Sequence, residues 1–114
     1  MNKDIEGKEE AEALGMVIYY LGLLKRGPAW TPEETQEVDD LQEAHLENIQ
    51  RMVETGKLVL VGPFIDDGDL RGAYVFKVGS LKEALELTNT DPMVKSGRLI
   101  FEIHPWMIQK GILP

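Results

Sequence analysis

The histidine at position 45, within the stretch LQEAHLENIQ, is the side chain of this sequence best suited to proton transfer near neutral pH. The surrounding segment has helical periodicity. At about 100° per residue, Val38, Leu41, Ile49 and Met52 form a stripe roughly 80° wide with His45 at its centre. The pattern favours leucine there, so two interpretations stand. His45 is either a core imidazole bonded to a backbone carbonyl, or a group that takes and gives protons in a site.

Other chemistry has weaker support in the sequence. Glu102 and His104 alternate onto one side of a predicted strand, but two ligands do not complete a metal site. The DDGD turn at 66–69 resembles the start of a calcium loop, yet its twelfth position is Lys77, where such a loop has glutamate. With no cysteine, no serine-nucleophile motif and no glycine-rich phosphate loop, we expect neither a metal nor a cofactor.

Composition predicts one acidic domain. The chain has 114 residues, 43% of them hydrophobic, and a formal net charge of −8. Residues 33–54 carry eight acidic side chains against one arginine, which argues against nucleic acid as a partner. No apolar run is long enough to span a bilayer and the first residues lack a signal-peptide core, so we expect a cytoplasmic protein without membrane attachment.

The elements that must position His45 follow from turn and cap signals. Strands are predicted at Met16–Leu24, Lys57–Phe64, Gly72–Val78 and Arg98–Trp106. Helices are predicted from a capping box at Thr31 to about Thr55 and from Ser80 to Leu87. The order βαββαβ indicates an α+β, ferredoxin-like fold with a four-stranded antiparallel sheet and its helices on one face. We expect residues 1–14 to be a loosely ordered charged tail, 15–106 the domain and 107–114 a C-terminal tail.

Two predicted strands are apolar on both faces. In Met16–Leu24 and Lys57–Val61 hydrophobic residues do not alternate with polar ones, although two helices cover only one face of a sheet. A second copy of the chain would cover the other face. We therefore predict a homodimer that buries more than about 1,000 Å² in total, with the C-terminal tail packing on the partner.

Several segments together resemble the YciI-like (YCII-related) domain family. They are KRGPAWTPEE, LQEAHLENIQRMVETGKLVLVGPF, DDGDLRGAYVF, LTNTDPMVKSGRL and FEIHPW, spread over about residues 16–106. The resemblance implies a dimeric α+β barrel and a cleft that holds a histidine and an aspartate, here His45 and Asp91. Asp91 precedes Pro92 at a predicted helical turn and is equally explained as an N-cap, and the two roles are compatible.

Further residues are expected to contact a substrate, and for the first three this expectation depends on the resemblance. Gly62, Pro63 and Phe64 form a strand-end bend that would line the cleft, or else an ordinary irregularity of an edge strand. The other expected contacts are Lys25, Trp30, His104 and Trp106, and no metal ligands are expected.

The predicted function is that of a cofactor-independent acid–base enzyme of lyase, isomerase or dehalogenase type. Its substrate would be a small cyclic or aromatic compound such as a hydroxyquinone or a lactone. His45 would transfer the proton and Asp91 would orient its ring. The alternative is a non-catalytic dimer that binds a small molecule, in which His45 could be buried among packed side chains.

Overall fold

The computed structural model describes residues 3–114, and side chains are described from residue 7 onward. The chain forms four helices and four strands within that range. In order they are α1 (Lys3–Ala13), β1 (Met16–Arg26), α2 (Gln36–Glu54), β2 (Leu58–Pro63), β3 (Leu70–Phe76), α3 (Leu81–Thr88), α4 (Pro92–Lys95) and β4 (Leu99–Gln109).

The four strands form one antiparallel sheet in the order β2-β3-β1-β4. The two longest strands, β1 and β4, pair over their whole length at the centre and one edge, from Met16 opposite Gln109 to Arg26 opposite Leu99. This arrangement confirms the predicted ferredoxin-like α+β fold. Both strands end later than the sequence indicated. Strand β1 continues to Arg26, and β4 continues to Gln109, so that only the last five residues follow it.

One face of the sheet is covered by helices. Side chains on β1 at Tyr20 and Leu24 pack with Met52 from α2, Ala84 from α3 and Met93 from α4 in a single buried core. The helix-facing positions of β3 and β4 add aromatic rings, including Phe76, which is fully buried. The core therefore lies between this face and the helices, and it fixes α2 and α4 over the same part of the sheet.

Helix α2 begins four residues later than the capping box predicted. Its N-cap is Thr35, whose side chain accepts a hydrogen bond from the backbone N–H of Val38 at 3.2 Å. The predicted cap, Thr31, uses its hydroxyl and carbonyl oxygens to accept two hydrogen bonds from Arg98, each of 3.0 Å. A long-range partner thus holds Thr31 outside the helix. At the other end, Gly56 adopts a φ of 76°, as predicted for the left-handed stop.

The N-terminal segment corrects the prediction of a loosely ordered tail, because Lys3–Ala13 form helix α1. Ala11 is buried, and a Cβ added at Gly7 would lie 2.9 Å from the side chain of Ile18 on β1. The helix therefore packs on the start of β1 through small residues, which offer little hydrophobic signal in the sequence.

The second face of the sheet is only partly covered. Leu60, Ile100 and Trp106 are 55%, 44% and 45% exposed, respectively. The last residues of the chain turn back towards this sheet, where the hydroxyl of Tyr19 donates to the carbonyl oxygens of Pro114 at 2.9 Å and Leu113 at 3.3 Å. Packing of the tail on a partner stays a prediction. None of the helices within residues 3–114 has both the length and the apolar character needed to cross a membrane.

Candidate active site

The ring of His45 projects from α2 into the core, and both of its nitrogens have a neighbour. Its Nδ1 lies 2.6 Å from Oδ2 of Asp91, and its Nε2 lies 3.5 Å from the hydroxyl of Tyr74. Since a carboxylate oxygen only accepts, the Nδ1–H donates to Asp91. This assignment leaves the lone pair of Nε2 facing the tyrosine, which is the form that can accept a proton.

Asp91 is held by the short helix α4 and is 1% exposed. Its Oδ1 accepts the backbone N–H of Met93 at 2.9 Å, so it is the N-cap of α4, with Pro92 at the first helical position. Its other oxygen is the one bonded to His45. The two roles left open by the sequence therefore coexist, because each uses a different carboxylate oxygen.

Tyr74, on β3, completes the polar group beside His45. Burial, together with the negative charge of Asp91, raises the pKa of its hydroxyl well above the ordinary range. The ring packs against Phe101 at 4.9 Å between centroids, nearly edge-on, and against Phe76 at 5.9 Å. The hydroxyl is thus fixed in position and stays protonated at neutral pH, which makes it a hydrogen-bond donor.

A cavity of about 440 Å³ opens beside His45 and Tyr74. Ligand pockets for small molecules have volumes of roughly 300–1,000 Å³ and similar mixtures of apolar walls and few polar groups. The wall is made by α2, α4, β2 and β3, by parts of β1 and β4, and by the loops that carry Trp30 and Arg98. Its residues are Leu24, Trp30, Val38, Gln42, His45, Leu46, Ile49, Val61, Gly62, Pro63, Arg71, Gly72, Tyr74, Met93, Arg98 and Leu99.

Part of the predicted site lies together at this cavity. Trp30, Gly62 and Pro63 line it with His45, whereas Asp91 lies behind the imidazole and contacts it without lining the cavity. Trp30 is brought there by a close contact between two loops. The N–H of Gly27 donates to Arg98 O at 2.8 Å, and a Cβ at position 27 would lie 2.3 Å from a backbone oxygen of Gly97.

The other predicted contacts do not reach the cavity. Phe64 follows Pro63 but is not in the wall. Lys25 and His104 lie on the second face of the sheet, where both bind Glu102, at 2.9 and 3.0 Å. Trp106 alternates onto that same face. Lys25 from β1 and His104 and Trp106 from β4 therefore lie on the face of the sheet opposite to the helices, against which Phe101 and Ile103 pack. A contact of these three residues with a substrate stays a prediction.

Sequence reasoning missed four polar residues of the wall: Gln42, Arg71, Tyr74 and Arg98. Tyr74 and Arg98 lie in predicted strands and Arg71 lies next to one, but nothing in the sequence indicated that these side chains would meet at a cavity. Tyr74 could have been found from the alternation of side chains along β3, because Tyr74 points to the same face of the sheet as the core residue Phe76.

Clusters suited to a metal ion do not occur in the described part of the chain. No group of three or more histidine, aspartate or glutamate side chains is suitably placed there.

Comparisons with known proteins agree on the family and the fold. The YCII-related domain family matches residues 18–107. The uncharacterized protein YjpA of Bacillus subtilis (strain 168) is 38% identical over 66 residues, which are 58% of this chain and 75% of YjpA.

A similar solved structure is that of 5-chloro-2-hydroxyhydroquinone dehydrochlorinase (TftG) from Burkholderia phenoliruptrix AC1100, in complex with 2,5-dihydroxybenzoquinone. It aligns with a TM-score of 0.58 and 22% identity, over 77% of this chain and 92% of that one. This likeness supports the ferredoxin-like α+β fold. Because the family match covers most of the sequence, the chain belongs to the YCII-related domain family.

Proposed function

We propose that the chain is a cofactor-independent acid–base enzyme that acts on a small cyclic or aromatic compound in the cavity beside His45. The observation that carries this proposal is the 2.6 Å contact between His45 Nδ1 and Asp91 Oδ2, with the second ring nitrogen left for proton transfer. A pair of this kind fixes the tautomer and orientation of a general base.

The proposed reaction begins when Nε2 of His45 takes a proton from a ring carbon or a ring hydroxyl of the substrate. The released electron pair forms a new C=C or C=O bond, and in an elimination a leaving group such as chloride departs with its bonding pair. The imidazolium then releases its proton to water, which restores the base. In an isomerisation the imidazolium returns the proton to another carbon. The Tyr74 hydroxyl, kept protonated by its raised pKa, would donate a hydrogen bond to a substrate oxygen that gains charge.

Elimination from a halogenated ring is supported by analogy alone. TftG, which shares the fold, is named as a dehydrochlorinase of a chlorinated hydroxyhydroquinone. Proteins of one fold perform many reactions, so the analogy selects which compounds to test first and does not assign the reaction.

We propose further that the active form is a homodimer. The exposed apolar side chains of Leu60, Ile100 and Trp106 share the second face of the sheet, and a second copy would remove them from water. The resemblance to the YCII-related family, which implies a dimeric α+β barrel, supports this assembly.

The test is a panel of chlorinated hydroquinones, hydroxyquinones and lactones, screened first by thermal shift and then by ultraviolet absorbance for turnover. His45→Asn should abolish turnover, because asparagine can form hydrogen bonds but cannot shuttle protons. Glu47→Gln is the control, since Glu47 is exposed on α2 and lies outside the cavity wall, so its replacement should leave turnover unchanged.

Two outcomes would contradict the proposal. Turnover that survives His45→Asn would remove His45 from the chemistry. Compounds that bind and compete with one another without any turnover would favour the non-catalytic binding protein.

A further inference from the structure

The cavity wall contains two side chains that are always charged at neutral pH, and both are arginines. Arg71 and Arg98 line the cavity, whereas no aspartate or glutamate within residues 7–114 does. The chain as a whole has 20 acidic and 12 basic residues, so its composition would favour acids in the wall. The cavity therefore has a positive local charge in an acidic protein.

Arg98 has no carboxylate partner among the residues that the structure describes. Its Nη1 and Nη2 each donate one hydrogen bond to the uncharged oxygens of Thr31, both of 3.0 Å, and its Nε is buried without a partner. A guanidinium has five N–H donors, so Arg98 keeps donors and its full positive charge unneutralised. The two bonds to Thr31 also hold the side chain in place, which lowers the entropy lost when a ligand binds.

The positive charge of Arg71 is also incompletely neutralised, although one carboxylate lies near it. Its Nη1 donates to the carbonyl oxygen of Gly68 at 3.1 Å, and the carboxylate of Asp67 lies 3.7 Å away, beyond hydrogen-bond distance. That carboxylate is highly exposed and is bound at 2.7 Å by Arg26. Asp67 therefore neutralises Arg71 only in part, because water screens it and a second arginine shares it.

A purely structural role does not account for both arginines. Arg98 does join the loop after β1 to the start of β4, but a neutral donor could bind the oxygens of Thr31 as well. Both arginine side chains are only half-buried, and their positive charge is not neutralised by any carboxylate that the structure describes in the cavity wall. A negatively charged ligand would supply that partner through charge-assisted hydrogen bonds.

We propose that Arg71 and Arg98 form an anion-binding subsite and that the natural ligand of the cavity is a small ring compound with a negatively charged oxygen group. That group is a carboxylate or an ionised ring hydroxyl. The inference deepens the proposed function, since it assigns a charge to the ligand on which His45 would act. Arginine suits this role because it binds planar oxyanions through two parallel hydrogen bonds.

The experiment measures binding by calorimetry with a matched pair of probes, 2,5-dihydroxybenzoate and its neutral amide, 2,5-dihydroxybenzamide. The anion should bind the wild-type protein at least about tenfold more tightly than the amide, as expected for charge-assisted hydrogen bonds. A third probe, 2,5-dihydroxybenzoquinone, carries its charge on ring oxygens. Whichever of the two anions binds more tightly identifies the anionic group.

Three variants test which arginines cause the preference for the anion over the amide. Arg98→Met and Arg71→Met should each reduce the ratio of anion to amide affinity several-fold. Arg51→Met, which removes an equal charge from the exposed side of α2, should leave the ratio unchanged. Arg71→Met is informative even if loss of the Thr31 contacts prevents Arg98→Met from folding.

Equal affinity for the anion and the amide, a preference that survives both cavity variants, or no binding of any probe at millimolar concentration would each overturn the inference. Failure of the proposed function looks different. In that case the anion would bind in an arginine-dependent manner, and no compound of the panel would be turned over.

Discussion

Replacement of Asp91 by alanine should be much more destabilising than the loss of an ordinary helix cap. The substitution removes the acceptor of the Met93 N–H, a loss that typically costs about 1 kcal/mol. It also leaves the Nδ1–H of His45 without its partner at 2.6 Å, in a residue that is 6% exposed. A buried donor without a partner costs about 1–3 kcal/mol. The expected total is about 2–4 kcal/mol.

The matched control is Ser80→Ala. Ser80 caps α3 by accepting the N–H of Glu83 at 3.1 Å and has no histidine partner, so its loss should cost only about 1 kcal/mol. Both free energies of unfolding come from urea denaturation at one protein concentration, with unchanged m-values as the check on comparability.

A double-mutant cycle isolates the bond between the two side chains. In a His45→Leu background there is no Nδ1–H to leave unpaired, so Asp91→Ala should cost about 1 kcal/mol or less. The coupling energy would then be about 1–3 kcal/mol. If Asp91→Ala costs no more than Ser80→Ala, or costs the same in both backgrounds, the contact contributes nothing and Asp91 is only a cap.

Three further predictions concern the rest of the molecule. Tyr74 has a raised pKa in the fold, so the protein should lose stability as pH rises above the tyrosine's ordinary value of about 10. In Tyr74→Phe that loss should be shallower by up to about 1.4 kcal/mol per pH unit in urea titrations, and identical slopes would refute the assignment. Trp106→Glu should convert a dimer into a monomer in sedimentation velocity at micromolar concentration, and a monomeric wild-type protein would contradict the proposed assembly. Gly27→Ala should destabilise the protein by about 1–3 kcal/mol, because its Cβ would lie 2.3 Å from a backbone oxygen. Gly62→Ala is the control, because its Cβ would meet open space, and it should be nearly neutral. Thermal melts of the two variants would measure the difference.

The fold could be predicted because its signals are local. Helical periodicity, Gly56 at the end of α2 and the Asp91–Pro92 start of α4 each depend on neighbours in sequence. The start of α2 could not be predicted this way. Thr31 is kept out of the helix by Arg98, 67 residues further along the chain. The local sequence therefore predicted Thr31 as the N-cap of α2, whereas the contact with Arg98 moves the N-cap to Thr35.

The site was predictable only in part, for a related reason. Both faces of β4 carry apolar residues, so alternation showed that Glu102 and His104 share a side without showing which side faces the helices. The packing of Phe101 and Ile103 in the core settles the question and moves His104 to the other face. Arg98 was missed because its role depends on the absence of a carboxylate partner, which only the folded structure of the described residues can show.

The position of His45 at the centre of an apolar stripe is better explained by chemistry than by stability. Burying an imidazole and a carboxylate together removes both from water, and such a pair is at best comparable in stability with hydrophobic residues of the same volume. Leucine at position 45 would extend the core more simply. An aspartate at the surface could also cap α4. Asp91 is instead 1% exposed, and its second oxygen accepts a hydrogen bond from the imidazole. The costly pair lies directly beside a cavity of about 440 Å³, with a tyrosine hydroxyl and two arginines in its wall. Folding explains single contacts of these groups, such as the bonds of Arg98 to Thr31 and of Asp91 to the N–H of Met93. The proposed binding of a small anionic ring compound and transfer of its proton would use all of them together.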